Sequence, residues 1–362
     1  MPDLARTRAE AARLKEWFIA RGAAPVETGV LQPAETLLDL YGEDIRARAF
    51  TTHDPLAGEL MLRPDFTVPV VQMHMAEGTE PARYAYAGNV FRRQEEETGR
   101  PREYIQAGYE VFDRADPAAA DAEVFALIAE ALGDLPVSPV TGDIGILMAA
   151  VQGLGTTRRR KAALMRHIWR PRRFRALLDR FSGRSAVPAT RAALLARPDP
   201  MAGMLPPVGL RRPDEIAERI AALREDAAEP PISGDDLALL ERLLAVAGPC
   251  PAALSELRAL AAGMEALVPA VDRLASRLAA LASRGIDVDA LAFDAAYGRS
   301  SMEYYDGFVF SFYARNRADL PPVATGGRYD ALTRQLGDGR SIPAVGGVIR
   351  PGLTLEMAGD GK

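Results

Sequence analysis

Short β-like runs occupy two separate parts of the sequence, and a long helical stretch lies between them. The earlier runs fall between residues 50 and 112, and the later runs follow Gly285. The stretch from Pro117 to about Gly285 is rich in Ala, Leu and Arg, which favour helices. Because strands and helices are segregated rather than alternating, the sequence predicts an α+β fold with a largely antiparallel sheet.

Alternation of residue types defines the clearest strands. The runs 84–92 and 103–112 alternate in the way expected of strands with one buried face. In the later run FVFSFYA, the side chains of Phe308, Phe310 and Phe312 share one face, since successive side chains of a strand point to opposite sides. We expect this run to be a buried strand.

Part of the helical stretch is expected to form a separate insertion. Residues 156–249 contain helical runs joined by proline-rich connectors. The sequence therefore predicts a core domain made of residues 1–155 and 250–362, with a helical insertion at 156–249.

Composition places the chain among globular proteins with a sizeable core. Hydrophobic residues make up 48% of the 362 residues and charged residues 26%, which excludes disorder of the whole chain. The single cysteine, Cys250, cannot form an internal disulfide and fits a reducing compartment. The charged amino terminus lacks the apolar run of a signal peptide, and no long apolar stretch occurs. We expect a cytoplasmic protein without a membrane span.

One predicted strand carries polar residues along a single face. Gln106, Gly108 and Glu110 are spaced by two, so their side-chain positions lie on the same side of the strand. Arg92 is a further polar residue, in the preceding strand-like run. The charged loop 93–102 between the two runs is explained by solvation alone. Polar groups aligned on a sheet face, by contrast, indicate a surface that binds a ligand.

Three further segments admit both a structural and a functional interpretation. The segment LMLRPDFTVPV fits a strand end followed by a helix that Asp65 or Thr67 caps. If the chain is extended at Tyr304 and Tyr305, the two rings point to opposite faces, one into the core and one toward a pocket. The segment Thr325–Arg340 pairs two glycines with a tyrosine and an aspartate, which alone favours a plain turn.

Common catalytic motifs are missing from the sequence. Its three histidines and one cysteine show no HExxH or CxxC spacing, so we expect no metal site. GxSxG, GxGxxG and GxxxxGKS/T motifs are also missing, which removes support for a nucleophile elbow, a Rossmann site or a P-loop. We expect no cofactor.

Taken together and in this order, the four segments resemble the catalytic body of histidyl-tRNA synthetase. Leu62–Thr67 is similar to the family's LRPEGT-like motif, with aspartate in place of the usual glutamate. Phe91–Arg93 and Gln106–Glu110 resemble motif 2, and Met302–Tyr305 and Gly326–Asp330 resemble the two histidine-recognition motifs. The resemblance covers nearly the whole chain. It implies a class II aminoacyl-tRNA synthetase-like antiparallel sheet flanked by helices.

The same resemblance implies a set of histidine-binding residues. An ammonium group needs hydrogen-bond acceptors, and an imidazole needs ring contacts and partners for its two nitrogens. The implied positions are Glu110 and Gln106 for the ammonium and backbone end, Tyr305 and Tyr329 for the imidazole, and Asp65 and Thr67 nearby. Arg92 corresponds to the motif 2 arginine, which holds the α-phosphate of ATP in synthetases, and is interpreted as a phosphate-binding remnant.

Departures from the family concern ATP and tRNA rather than histidine. Ser300 stands where the RGLDYY motif has an arginine that promotes attack on ATP. Gln94 replaces a motif 2 glutamate, and Leu353 replaces the motif 3 arginine. Only nine residues follow Leu353, so we expect no carboxy-terminal anticodon-binding domain. These departures predict a chain without catalytic residues.

A retained amino-acid site beside an eroded ATP site resembles the regulatory subunits of short-form ATP phosphoribosyltransferase. This resemblance implies a non-catalytic chain that assembles with a short-form catalytic subunit and takes part in feedback control of histidine biosynthesis, with L-histidine as effector. Because class II folds normally dimerise through motif 1, which Pro33 fits, it also implies a self-dimer within a hetero-oligomer. Histidine could occupy either the synthetase-like pocket or a subunit interface.

The segment Thr156–Arg180 departs from the charge of the rest of the chain. It contains ten basic residues and one acid, Asp179, although the formal net charge of the whole chain is −5. Such a block can bind nucleic acid, face an acidic partner or form a solvated helix surface. Two alternative functions remain, a truncated histidyl-tRNA synthetase and a synthetase-like RNA-binding sensor. The negative net charge argues against tRNA as a partner.

Overall fold

The computed structural model describes residues 3–41, 48–94, 101–203, 209–299 and 304–360. Its first part combines strands and helices. In chain order, these are α1 (Leu4–Ile19), β1 (Ala24–Pro25), β2 (Leu31–Pro33), α2 (Ala34–Tyr41), β3 (Thr51–Asp54), β4 (Gly58–Leu62), α3 (Thr67–Glu77), β5 (Ala82–Phe91), β6 (Glu103–Phe112), α4 (Pro117–Leu132) and β7 (Val137–Asp143).

The middle of the chain is helical, and strands return after it. The middle helices are α5 (Ile144–Gly153), α6 (Arg158–Arg166), α7 (Pro171–Phe181), α8 (Ala189–Ala196), α9 (Pro213–Ala228) and α10 (Gly234–Ala245). The last elements are β8 (Ala247–Pro249), α11 (Cys250–Ala261), α12 (Val268–Ser283), β9 (Ala292–Asp294), β10 (Phe308–Ala314), β11 (Ala324–Arg328), α13 (Asp330–Leu336), β12 (Ala344–Ile349) and α14 (Pro351–Asp360).

Strands from both ends of the chain form one main sheet, with the order β1-β5-β6-β12-β11-β10-β7-β9-β8. Pairing is antiparallel from β5 through to β7, whereas β1 pairs with β5, and β7 with β9, in parallel. A smaller sheet has the order β2-β4-β3. The predicted α+β class with a largely antiparallel sheet is confirmed. Within the described ranges, no helix is both long and apolar enough to cross a membrane.

One face of the main sheet is apolar and packs against helices. The rings of Phe308, Phe310 and Phe312 surround Phe125 of α4, with centroid distances of 5.1 to 6.3 Å. The face that the sequence predicted for these three residues is therefore confirmed. Buried aromatic rings of this size supply a large share of the apolar area that stabilises a fold.

The predicted insertion 156–249 is helical from α6 to α10. It then ends in β8, which pairs with β9 at the edge of the main sheet. The proposed division into a core domain and an insertion stays a prediction.

A buried ion network ties the helices of the apolar face to the sheet. Arg277 of α12 donates to Asp121 of α4 at 2.9 Å and to Asp143 at the end of β7 at 2.6 Å. Arg328 of β11 donates to the other oxygen of Asp121 at 2.7 Å. None of the four residues is more than 8% exposed. Buried charges need such partners, because an unpaired charge in the interior is strongly destabilising.

Replacing Arg277 by methionine is expected to lower the free energy of unfolding by about 3–5 kcal/mol, because Asp143 loses its buried ion-pair partner. Arg273 is exposed on the same helix, so Arg273→Met should change stability by less than about 0.5 kcal/mol. Urea denaturation of both variants measures the difference. Equal effects of the two substitutions would contradict the stabilising role of the network.

Candidate functional site

The carboxylate of Glu110 lies on the other face of the sheet and accepts hydrogen bonds from three hydroxyl groups. Its Oε1 accepts from Tyr86 at 2.8 Å and from Thr67 at 3.0 Å. Its Oε2 accepts from Tyr329 at 2.5 Å. Glu110 is only 1% exposed. Because a carboxylate offers about four acceptor positions, these three donors leave room for one more, such as an ammonium group.

The register of the strands places these groups. Tyr86 of β5 lies opposite Gly108 of β6, and a Cβ at Gly108 would meet the Tyr86 ring at 2.3 Å. The ring therefore crosses Gly108 and brings its hydroxyl to Glu110. On the neighbouring strand β12, a Cβ at Gly346 would lie 1.4 Å from Glu110 Oε2. Only glycine leaves the space that the carboxylate occupies.

Burial changes the protonation of Glu110. Loss of solvent contact raises the pKa of Glu110 from 4.5 to about 7, while the hydrogen bonds from Tyr329, Tyr86 and Thr67 act in the opposite direction. The nearby charge of Asp65 contributes to this increase in the pKa. The carboxyl group is therefore divided between its charged and neutral forms near neutral pH. A cationic ligand would favour the charged form.

Tyrosine rings line one side of the carboxylate. The Tyr305 ring lies 4.7 Å from the Tyr304 ring and 6.2 Å from the Tyr329 ring, measured between centroids. The expectation that Tyr304 and Tyr305 point to opposite faces applies only to an extended chain, and Tyr304 instead lies in a turn before β10. Ser300 and residues 302–303, on which other parts of the comparison with synthetases depend, lie outside the described residues.

Asp65 and Gln106 lie at the ends of the site. Asp65 accepts from the backbone N–H of Val68, in the first turn of α3, at 3.3 Å. Gln106 shares the face of Glu110, and the spacing of four residues separates their backbones by about 13 Å. Gln106 is 1% exposed, and its Oε1 has no hydrogen-bond partner among the described residues. Because a buried acceptor without a donor costs about 1–3 kcal/mol, this oxygen is suited to a ligand N–H.

The residues that the resemblance assigns to the ATP site of synthetases make contacts within the protein. The Nε of Arg92 donates to the Pro64 carbonyl at 3.0 Å. Its charge lowers the pKa of Tyr305, but this effect is smaller than that of burial, which raises the same pKa. Leu353 is half-buried against the core. The phosphate-binding role of Arg92 stays a prediction.

Several contacts at the site were not predicted from the sequence. Tyr86 alternates with its neighbours in β5, but only the register of β5 against β6 shows that it shares the face of Glu110. By contrast, no sequence signal links Trp169 to Tyr305, 136 residues away, although its Nε1 donates to the Tyr305 carbonyl at 3.1 Å. Arg299 likewise donates to the Ile168 carbonyl at 3.0 Å. The turn between α6 and α7 therefore holds the segment that carries Tyr305.

Comparison with known proteins shows which family the chain belongs to. A family model described as histidyl-tRNA synthetase matches residues 1–201 and 216–351. The ATP phosphoribosyltransferase regulatory subunit of Brucella canis is 34% identical over 363 residues, which cover 94% of this chain and 95% of the relative. The chain belongs to the family of ATP phosphoribosyltransferase regulatory subunits. The resemblance stated from the sequence is confirmed, and so is the predicted class of a regulatory rather than a catalytic subunit.

Solved structures show the same fold. An ATP phosphoribosyltransferase regulatory subunit/histidyl-tRNA synthetase from Bacillus halodurans C has a TM-score of 0.68 at 23% identity, covering 99% of this chain and 81% of that chain. A histidine–tRNA ligase subunit from Alicyclobacillus acidocaldarius has a TM-score of 0.61 at 24% identity, covering 99% of this chain and 95% of that chain. The class II synthetase-like fold is therefore confirmed.

The raised pKa of Glu110 predicts a dependence of stability on pH. Because the pKa of about 7 in the folded protein exceeds the ordinary 4.5, the folded state binds this proton more tightly than the unfolded chain. The stabilisation is complete below about pH 4.5 and is lost as pH rises through 7. Relative to Glu110→Gln, which has no such proton, the wild type should lose about 3 kcal/mol between pH 4 and 8.

Urea denaturation of wild type and Glu110→Gln across this range measures the difference. Comparing the two chains removes the contributions of other titrating groups, including Asp306, whose pKa burial also raises to about 7. If the free energies of unfolding of the two chains changed in parallel with pH, the claim that folded Glu110 holds a proton near neutral pH would be contradicted.

Proposed function

We propose that this chain is the non-catalytic regulatory subunit of a short-form ATP phosphoribosyltransferase and that it binds L-histidine at the Glu110 site. The family supports the first part. The second part rests on one observation, a fully buried carboxylate that retains room for one donor on a face that also carries the unpaired oxygen of Gln106. An amino acid supplies both a cation and further N–H donors.

The residues suggest how histidine would be held. Its ammonium group would donate to Glu110, whose charged form it stabilises, and Gln106 would orient the backbone end. Tyr305 and Tyr329 would contact the imidazole ring, which accepts edge and face contacts from aromatic neighbours. Thr67 donates to the same carboxylate at 3.0 Å and so fixes its orientation.

Regulation requires that histidine bind two conformations of the assembly unequally. A coupling free energy of about 1–3 kcal/mol between the histidine site and the catalytic subunit would be sufficient. Self-association of this chain within the hetero-oligomer and a cytoplasmic location belong to the same proposal. Class II architecture supports the self-association, and the single cysteine, Cys250, supports the cytoplasmic location.

Phosphoribosyl transfer from phosphoribosyl pyrophosphate to ATP tests the proposal. The short-form catalytic subunit from the same organism would be assayed alone, with this chain, and with this chain plus histidine. We expect the chain to change the rate, and histidine to change it further in the complex. If the chain neither binds the catalytic subunit nor alters its rate, the proposal fails. As a control, the chain alone should show no histidine-dependent exchange between ATP and pyrophosphate, since such exchange would identify a synthetase.

A further inference from the structure

Helices α6 and α7 carry exposed arginines for which the described residues provide no ion-pair partner, although Glu215 and Glu218 line a cavity together with one of them, Arg159. Other basic residues of this region are paired: Arg160 and Arg180 contact Asp226 at 2.7 and 2.6 Å, and Arg175 contacts Glu241 at 2.7 Å. The exposed residues without such a partner form the arginine surface: Arg158, Arg159, Arg166, Arg172 and Arg173.

Helix stability does not explain where these arginines lie. Arg158 and Arg159 occupy the first turn of α6, and Arg172 and Arg173 the first turn of α7. Neither first turn contains an acidic residue. Because the amino end of a helix already carries partial positive charge, cations placed there are unfavourable. The arrangement adds positive charge at the start of each helix, which an anionic partner would relieve.

The charges of this surface act together at the turn between the two helices. The pKa of His167 in this turn is lowered by burial first, and then by Arg170, Arg173 and Arg166. Arg166 of α6, Arg170 of the turn and Arg173 of α7 therefore all act on one side chain. Such a cluster attracts a partner of opposite charge over the range of a Debye length.

The extent of the surface favours an acidic protein over a nucleic acid. The surface lies on two short helices of 9 and 11 residues, neither more than about 17 Å long. Phe174 and Phe181 of α7 are buried and offer no ring on which a base can stack. The chain as a whole carries a net charge of −5, which repels a long polyanion beyond this area.

We propose that the arginine surface docks an acidic face of a partner protein. Resting on the function proposed above, this partner is the catalytic subunit. The position of the arginine surface matters for regulation. Trp169, in the turn between the two helices, donates to the Tyr305 carbonyl at 3.1 Å. A partner bound to the arginine surface thus lies next to the element that holds one wall of the Glu110 site.

Charge reversal at the centre of the surface tests this proposal. The full chain with Arg166→Glu and Arg173→Glu would be compared with a chain carrying Arg258→Glu and Arg273→Glu, two exposed positions on α11 and α12 that give the same charge change. Binding to the catalytic subunit would be measured by sedimentation velocity at 50 and 300 mM NaCl. We expect wild type and control to bind alike, and the surface variant to bind at least about tenfold more weakly at low salt.

Circular dichroism would confirm that both variants are folded, and Arg166→Gln with Arg173→Gln gives a milder change if the reversal unfolds the chain. Equal binding by wild type and the surface variant overturns the inference while leaving the proposed function intact. Salt-dependent binding of tRNA that the surface variant loses, with the protein complex unaffected, also overturns it. Failure of the wild type itself to bind the catalytic subunit overturns the proposed function and the inference together.

Discussion

The buried carboxylate of Glu110 imposes the main constraint on this structure. A charge removed from water needs several hydrogen-bond donors, and here they come from separate parts of the chain: Tyr86 on β5, Thr67 at the start of α3 and Tyr329 after β11. Gly346 on β12 leaves space for the carboxylate. Strands from both ends of the sequence must therefore pair in one register before the site exists, so the site depends on the complete sheet.

The carboxylate site and the buried ion network meet at one pair of residues. Arg328 and Tyr329 are consecutive: Arg328 donates to Asp121 on the helix-covered face, and Tyr329 donates to Glu110 on the opposite face. Asp306 holds the start of the following helix by accepting from the N–H groups of Asp330 and Ala331 at 2.9 and 2.7 Å. Packing of the helices thus fixes the position of the Tyr329 hydroxyl, which would link the proposed binding of histidine at Glu110 to the core.

Periodicity explains which features the sequence could predict. The segregation of strands and helices predicted the α+β class, and spacing by two placed Gln106 and Glu110 on one face, as the β6 ladders confirm. Features that depend on strand register or on packing between distant residues could not be predicted from periodicity. The role of Tyr86 follows only from the pairing of β5 with β6. The rings of Tyr304 and Tyr305 meet because the chain turns there, and a period-2 interpretation assumes an extended chain.

Calorimetric titration of L-histidine into the full chain tests the central claim most directly. The account predicts that wild type binds histidine and that Glu110→Gln binds at least about tenfold more weakly, because the charged acceptor of the ammonium group is lost. Glu123→Gln is the matched control, since Glu123 is also shielded and accepts from Arg83 and Tyr109 elsewhere in the fold, and it should bind like wild type. Wild-type affinity in Glu110→Gln would place histidine at another site and contradict the account.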